Sequence, residues 1–93
     1  MNIFDQIQMY AGKWTEKSRR NFSDAERSMV VSATVVSSQY GNSVCFFMKN
    51  GQQGFIPLSN DSSLKLGDTV DLEKAQLIVL GRPGDADIQR VSI

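Results

Sequence analysis

Four of the chain's ten cations fall within eight residues, Lys13, Lys17, Arg19 and Arg20, and two aromatic rings, Trp14 and Phe22, bracket them. Cations interleaved with aromatics can hold a single nucleic-acid strand, the charges neutralising phosphates and the rings stacking on bases. Drawn as an extended arm, Lys13, Thr15, Lys17, Arg19 and Asn21 share one face, and Trp14, Glu16, Ser18, Arg20 and Phe22 share the other. The competing reading is structural. Trp14 and Phe22 then anchor the arm to the protein body, and the charges form a solvated ribbon. If all four cations met phosphates, log affinity would fall against log salt with a slope of about −3, at roughly 0.7 per contact for single strands.

Further along the chain, Tyr40 and Phe55 are candidate stacking rings, with Lys49 and Arg90 as flanking cations. Phe46 and Phe47 are consecutive, so in a strand one points inward and the other outward. Phe46 travels with Val44 and Met48, the more apolar set, and is assigned to the core; Phe47 travels with Cys45. Phe55 can also be read as a core residue, and that reading is favoured over stacking.

Catalytic chemistry finds little footing. The chain has no histidine, the commonest general base and metal ligand. Cys45 is the only cysteine, so it offers no zinc cluster or redox pair and reads as a small buried hydrophobe. The glycines of Gly81-Arg82-Pro83-Gly84 lack the Lys-Ser/Thr of a phosphate loop. The pairs Asp68/Asp71 and Asp85/Asp87 sit in turn-like stretches, where acids usually cap or face solvent. The expectation is no enzyme, no cofactor and no metal.

Ninety-three residues with 41% hydrophobic and 22% charged content suit one small globular domain. Ten cations balance ten anions, so no global field attracts a polyanion. Residues 1–22 carry four cations and two anions, and residues 23–93 carry six and eight, leaving a local excess at the start. No apolar run reaches the roughly 18 residues of a membrane-spanning helix, and the beginning lacks the pattern of a signal peptide. These features predict a soluble cytoplasmic protein with no membrane partner.

The elements that must position these residues are mostly strands. Residues 2–12 read as a short amphipathic helix capped by Asn2 and ended by Gly12. Ser23-x-x-Glu26 is a capping-box pattern for a helical turn. From Met29 the chain becomes β-branched and alternates with turn residues at short intervals. Asn50-Gly51 is the strongest hairpin signal. The spacing predicts five strands, centred near Ala33, Phe46, Phe55, Ile78 and Val91. Within Val70–Leu80 the helix formers of Leu-Glu-Lys-Ala-Gln-Leu compete with strand-forming flanks.

Five stretches occur in a recognisable order: Tyr40-Gly41, the apolar run Ser43–Met48, Gly54-Phe55-Ile56-Pro57-Leu58-Ser59, Leu64-Lys65-Leu66-Gly67-Asp68-Thr69-Val70, and Arg90-Val91-Ser92-Ile93. Over residues 33–93 this order resembles an OB-fold of the S1 ribosomal-protein type. The resemblance implies a mainly β architecture: a small five-stranded antiparallel OB-like barrel over 29–93, preceded by a helix and basic arm over 1–28. It also implies single-stranded RNA contact, with Tyr40 at an aromatic position and Arg90 at a basic one. Pro57 stands where that family has a histidine, and the second aromatic of its turn has no counterpart.

Two functions follow as expectations. One is a non-catalytic single-stranded nucleic-acid-binding module using Lys13, Trp14, Lys17, Arg19, Arg20, Tyr40, Lys49, Phe55 and Arg90. The other is a protein-interaction or assembly module, through a partner protein or a homo-oligomer, suited by the balanced charge.

Overall fold

The computed structural model describes residues 14–93, so the expected helix over residues 2–12 and the expected contact at Lys13 lie outside the described residues. The basic arm is itself a strand, β1 (Thr15–Asn21), and it leads into a short helix, α1 (Asp24–Met29). That helix starts as the capping box dictates. Ser23 Oγ accepts from the Glu26 amide at 3.1 Å, and the Glu26 carboxylate accepts from the Ser23 amide at 2.8 Å.

Three strands then run as a meander: β2 (Val30–Ser38), β3 (Gly41–Met48) and β4 (Gln53–Pro57). The β3–β4 turn forms at Asn50-Gly51, where Gly51 adopts φ 85°, a conformation open to glycine at no steric cost. The Asn50 side chain closes the turn by accepting from the Gln52 amide at 3.0 Å. After a long connection come β5 (Gln76–Gly81) and β6 (Ile88–Ser92). All five expected strand centres fall inside strands. In the ambiguous stretch, helix formers win only one turn, with the Ala75 amide donating to the Asp71 carbonyl at 3.1 Å, before β5 begins.

The expected five-stranded closed barrel does not form. Among the described residues six strands make two three-stranded antiparallel sheets, ordered β1-β5-β6 and β2-β3-β4. The reason lies in the arm. β1 pairs with β5 from Thr15↔Gly81 to Asn21↔Gln76 and occupies the edge on which a closing strand would have to lie. The outer edge of β2 meets only the loop before β5. There the Val35 amide donates to the Asp68 carbonyl and the Val70 amide to the Ala33 carbonyl, each at 2.9 Å, around a single Thr34↔Thr69 bridge.

The two sheets touch at a parallel bridge between Leu58 and Val91, where the Ser59 amide donates to the Val91 carbonyl at 2.8 Å. One apolar cluster draws on both. Val35, Val44 and Phe46 come from the meander, Leu77 and Val91 from the other sheet, and Leu58, Val70 and Ala75 from the connections. Phe22 completes it, with its ring centroid 6.0 Å from that of Phe46 at 50°. Phe22 is therefore a core ring and no stacking platform. Phe22→Ala is expected to cost about 3 to 5 kcal/mol, as for a buried aromatic, measured by urea unfolding. A loss within the roughly 0.5 kcal/mol typical of a surface change would contradict its packing.

Candidate nucleic-acid interface

The arm does not present its cations as the sequence suggests. A bulge between Glu16 and Ser18 interrupts the alternation of β1, so Glu16 opposes Leu80 while Ser18 opposes the very next residue, Val79. Glu16 and Arg19 thereby come to the same face, contrary to the simple alternation expected. They form an ion pair at 2.6 Å. Arg19 also donates to Gln76 Oε1 at 3.1 Å and to Ser92 Oγ at 3.4 Å. Its charge is committed locally, and the Glu16 bond holds its pKa above the ordinary value.

The neighbouring cations are likewise engaged. Arg20 reaches across to α1 and binds both oxygens of Glu26, at 2.6 and 3.0 Å. Lys17 pairs with Asp87 at 2.8 Å. The Arg82 guanidinium lies 4.4 Å from the Trp14 ring centroid, so a cation covers one face of the indole. Arg82 also pairs with Asp85. β1 is thus a strand laced by ion pairs to its own sheet and to α1.

A different surface gathers the remaining candidates. The β3–β4 register places Cys45 opposite Phe55 and Ser43 opposite Pro57, so these four share one face of the meander. Phe47, two residues beyond Cys45, lies on that face diagonal to Phe55. Cys45 is buried there, but Phe55 is 57% exposed and Phe47 is 42% exposed. The reading of Phe55 as core is overturned. The opposite face holds Val44 and Phe46 in the core, as expected of Phe46.

At one end of this face Tyr40, in the β2–β3 turn, is 69% exposed. Tyr40, Phe55 and Pro57 form one wall of an open groove of about 1020 Å³, and Val79, Ile88 and Arg90 form the other. The groove occupies the gap between β4 and β6 that the absent closure leaves. Tyr40 and Arg90, the two positions carried over from the S1 resemblance, therefore face one space. Arg90 is fixed by donating to the Leu58 carbonyl at 2.8 Å. Beyond Phe47 stands Lys49, exposed in the hairpin turn and without a carboxylate partner among the described residues.

Of the nine residues singled out by sequence, the structure brings Tyr40, Phe55 and Arg90 together and sets Lys49 past the far end of the same face. It assigns Trp14, Lys17, Arg19 and Arg20 to the opposite sheet and its ion pairs. Phe47 belongs to the aromatic face and had been signalled by its alternation with Phe46. Gln89, which also lines the groove, carried no sequence signal, and Asp87 beside it had been read only as half of a solvent-facing Asp85/Asp87 pair. Among the described residues no cluster of His, Cys, Asp or Glu is placed to hold a metal ion, and no helix is long and apolar enough to cross a membrane. The chain matches no family model, no curated protein and no solved structure.

The Arg20–Glu26 pair has a consequence for stability. Arg20, followed by the Ser23 amide, lowers the Glu26 carboxyl from its ordinary 4.5 to about 2. A depressed carboxyl stabilises the folded state fully above its unfolded value and loses that contribution as pH falls. Melting temperature is expected to drop between pH 4.5 and 2, and Glu26→Gln to flatten that part of the profile. The same slope in both proteins would show that the pair adds nothing. Both groups are largely exposed, so the effect is modest.

Proposed function

We propose that this chain is a non-catalytic, cytoplasmic single-stranded nucleic-acid-binding module whose contact surface is the aromatic face of the β2-β3-β4 sheet. The observation that carries this reading is the row of exposed rings Tyr40, Phe55 and Phe47, bordered by Arg90 at one end and Lys49 beyond the other. Large rings turned to water on a sheet face are costly to leave uncovered. Base stacking uses such rings at about 1 to 3 kcal/mol per base and with little regard to sequence.

The ion pairs along β1 change the expected salt dependence. Phosphates would have to break those pairs to reach Lys17, Arg19 or Arg20. Two readily available cations, Lys49 and Arg90, give a slope near −1.4, at roughly 0.7 per contact, in place of the −3 expected of the basic arm. Binding is therefore weak and stacking-dominated.

The neutralised arm also favours the protein-interaction reading. β1 is paired only with β5, which leaves its second edge open among the described residues for another strand. Fluorescence anisotropy with labelled oligo-dT or oligo-U separates the two. Phe55→Ala and Tyr40→Ala each weaken binding about tenfold, at the lower end of the stacking range, while the protein melts almost as before. Lys17→Ala, Arg19→Ala and Arg20→Ala combined leave affinity nearly unchanged. Loss of binding in the triple variant alone would return the interface to the arm. No binding by the unaltered protein would favour the protein partner.

A further inference from the structure

The pleat that carries the three exposed rings of the meander also sets them apart. Phe55 and Phe47 are diagonal neighbours across β3 and β4, a separation of about 7 to 8 Å. Pro57 follows two residues after Phe55 on the same face, a step of about 6.6 Å at the usual rise of a strand. Tyr40 stands beyond it, in the turn before β3. Among the described residues Phe22 and Phe46 are the rings in mutual contact, in the core, and no ring pair joins Phe47, Phe55 and Tyr40. The outer rings are separate platforms, with Arg90 bordering the row at one end and Lys49 beyond the other.

Resting on the single-strand reading above, we propose that this face selects pyrimidine-rich single strands, whose bases give up little when they are drawn apart. Successive bases of a stacked strand lie about 3.4 Å from one another. The platforms are spaced at about twice that distance. Whether a base lies on a ring or between two rings, a strand that occupies neighbouring platforms must break its own base–base stacks. Adenines stack strongly on one another and lose that contact, and a phenyl ring, smaller than a purine, returns only part of it. Thymine and uracil stack weakly on their neighbours, so nearly all of their contact with the rings is gained. Such a preference arises from stacking strength and backbone flexibility and requires no reading of base edges.

The test compares labelled oligo-dT and oligo-dA of equal length by anisotropy at fixed salt. Oligo-dT is expected to bind about fivefold tighter, in keeping with the modest preferences that stacking strength produces. The ratio is expected to narrow on warming, at temperatures where the protein stays folded, because heat removes the self-stacking of oligo-dA. Phe47→Ala takes away one of two neighbouring platforms and narrows the ratio as well. Circular dichroism melting verifies that the variant is folded. Equal or tighter binding of oligo-dA by the unaltered protein overturns the selection while leaving the single-strand reading intact. A preference that persists unchanged on warming, or in Phe47→Ala, also overturns it, because its source would then lie elsewhere than in the spacing of the rings. Failure of both strands to bind overturns the single-strand reading and the selection with it.

Discussion

The pairing of β1 with β5 is the constraint on which the rest of the arrangement depends. By covering the edge of β5, the arm keeps another strand from pairing there, and the strands divide into two sheets bridged at Leu58 and Val91 and packed on one shared apolar cluster. Beside the Leu58–Val91 bridge, β4 and β6 flank an open groove. The same pairing consumes the arm's chemistry. A seven-residue strand with every residue exposed holds its place through its backbone ladder and through ion pairs to Glu26 and Asp87, while Arg19 is paired within the strand to Glu16.

Electrostatics and shape therefore point to different sheets. The described cations of the arm, Lys17, Arg19 and Arg20, are each paired with a carboxylate, so together they project little field. Exposed ion pairs of this kind contribute little to stability individually, yet they still decide where phosphate can find an unshared cation. What remains available is a surface of rings with sparse charge at its margins. Under the proposed reading such a surface would bind through contact area and stacking, with limited long-range steering and a shallower salt dependence than a basic arm gives.

Much of this was legible in the residues. The alternation that sends Phe46 inward and Phe47 outward, the Asn50-Gly51 hairpin and the Ser23/Glu26 capping box are local signals, and each determines its structure within a few residues. The strand centres follow from the same short-range chemistry. Strand count and closure do not, because they depend on which long-range edges pair. A stretch of seven polar and charged residues lacks the apolar alternation that marks a strand, and Thr15–Asn21 becomes one through pairing with the apolar β5. The bulge at Glu16/Ser18 was equally hidden, and with it the Glu16–Arg19 pair. Phe55 was misjudged because a single strand's pattern cannot say which face the second sheet will cover. Tyr40 and Arg90, fifty residues apart, come together only through the contact of Leu58 with Val91.

The most direct test of the account is where a single strand touches the folded protein. Two-dimensional NMR of labelled protein titrated with oligo-dT reads this residue by residue. The account predicts shifts in the ring resonances of Tyr40, Phe47 and Phe55 and at Arg90, with the amides of Thr15–Asn21 nearly unmoved. Shifts concentrated along Thr15–Asn21, with the three rings unchanged, would contradict it.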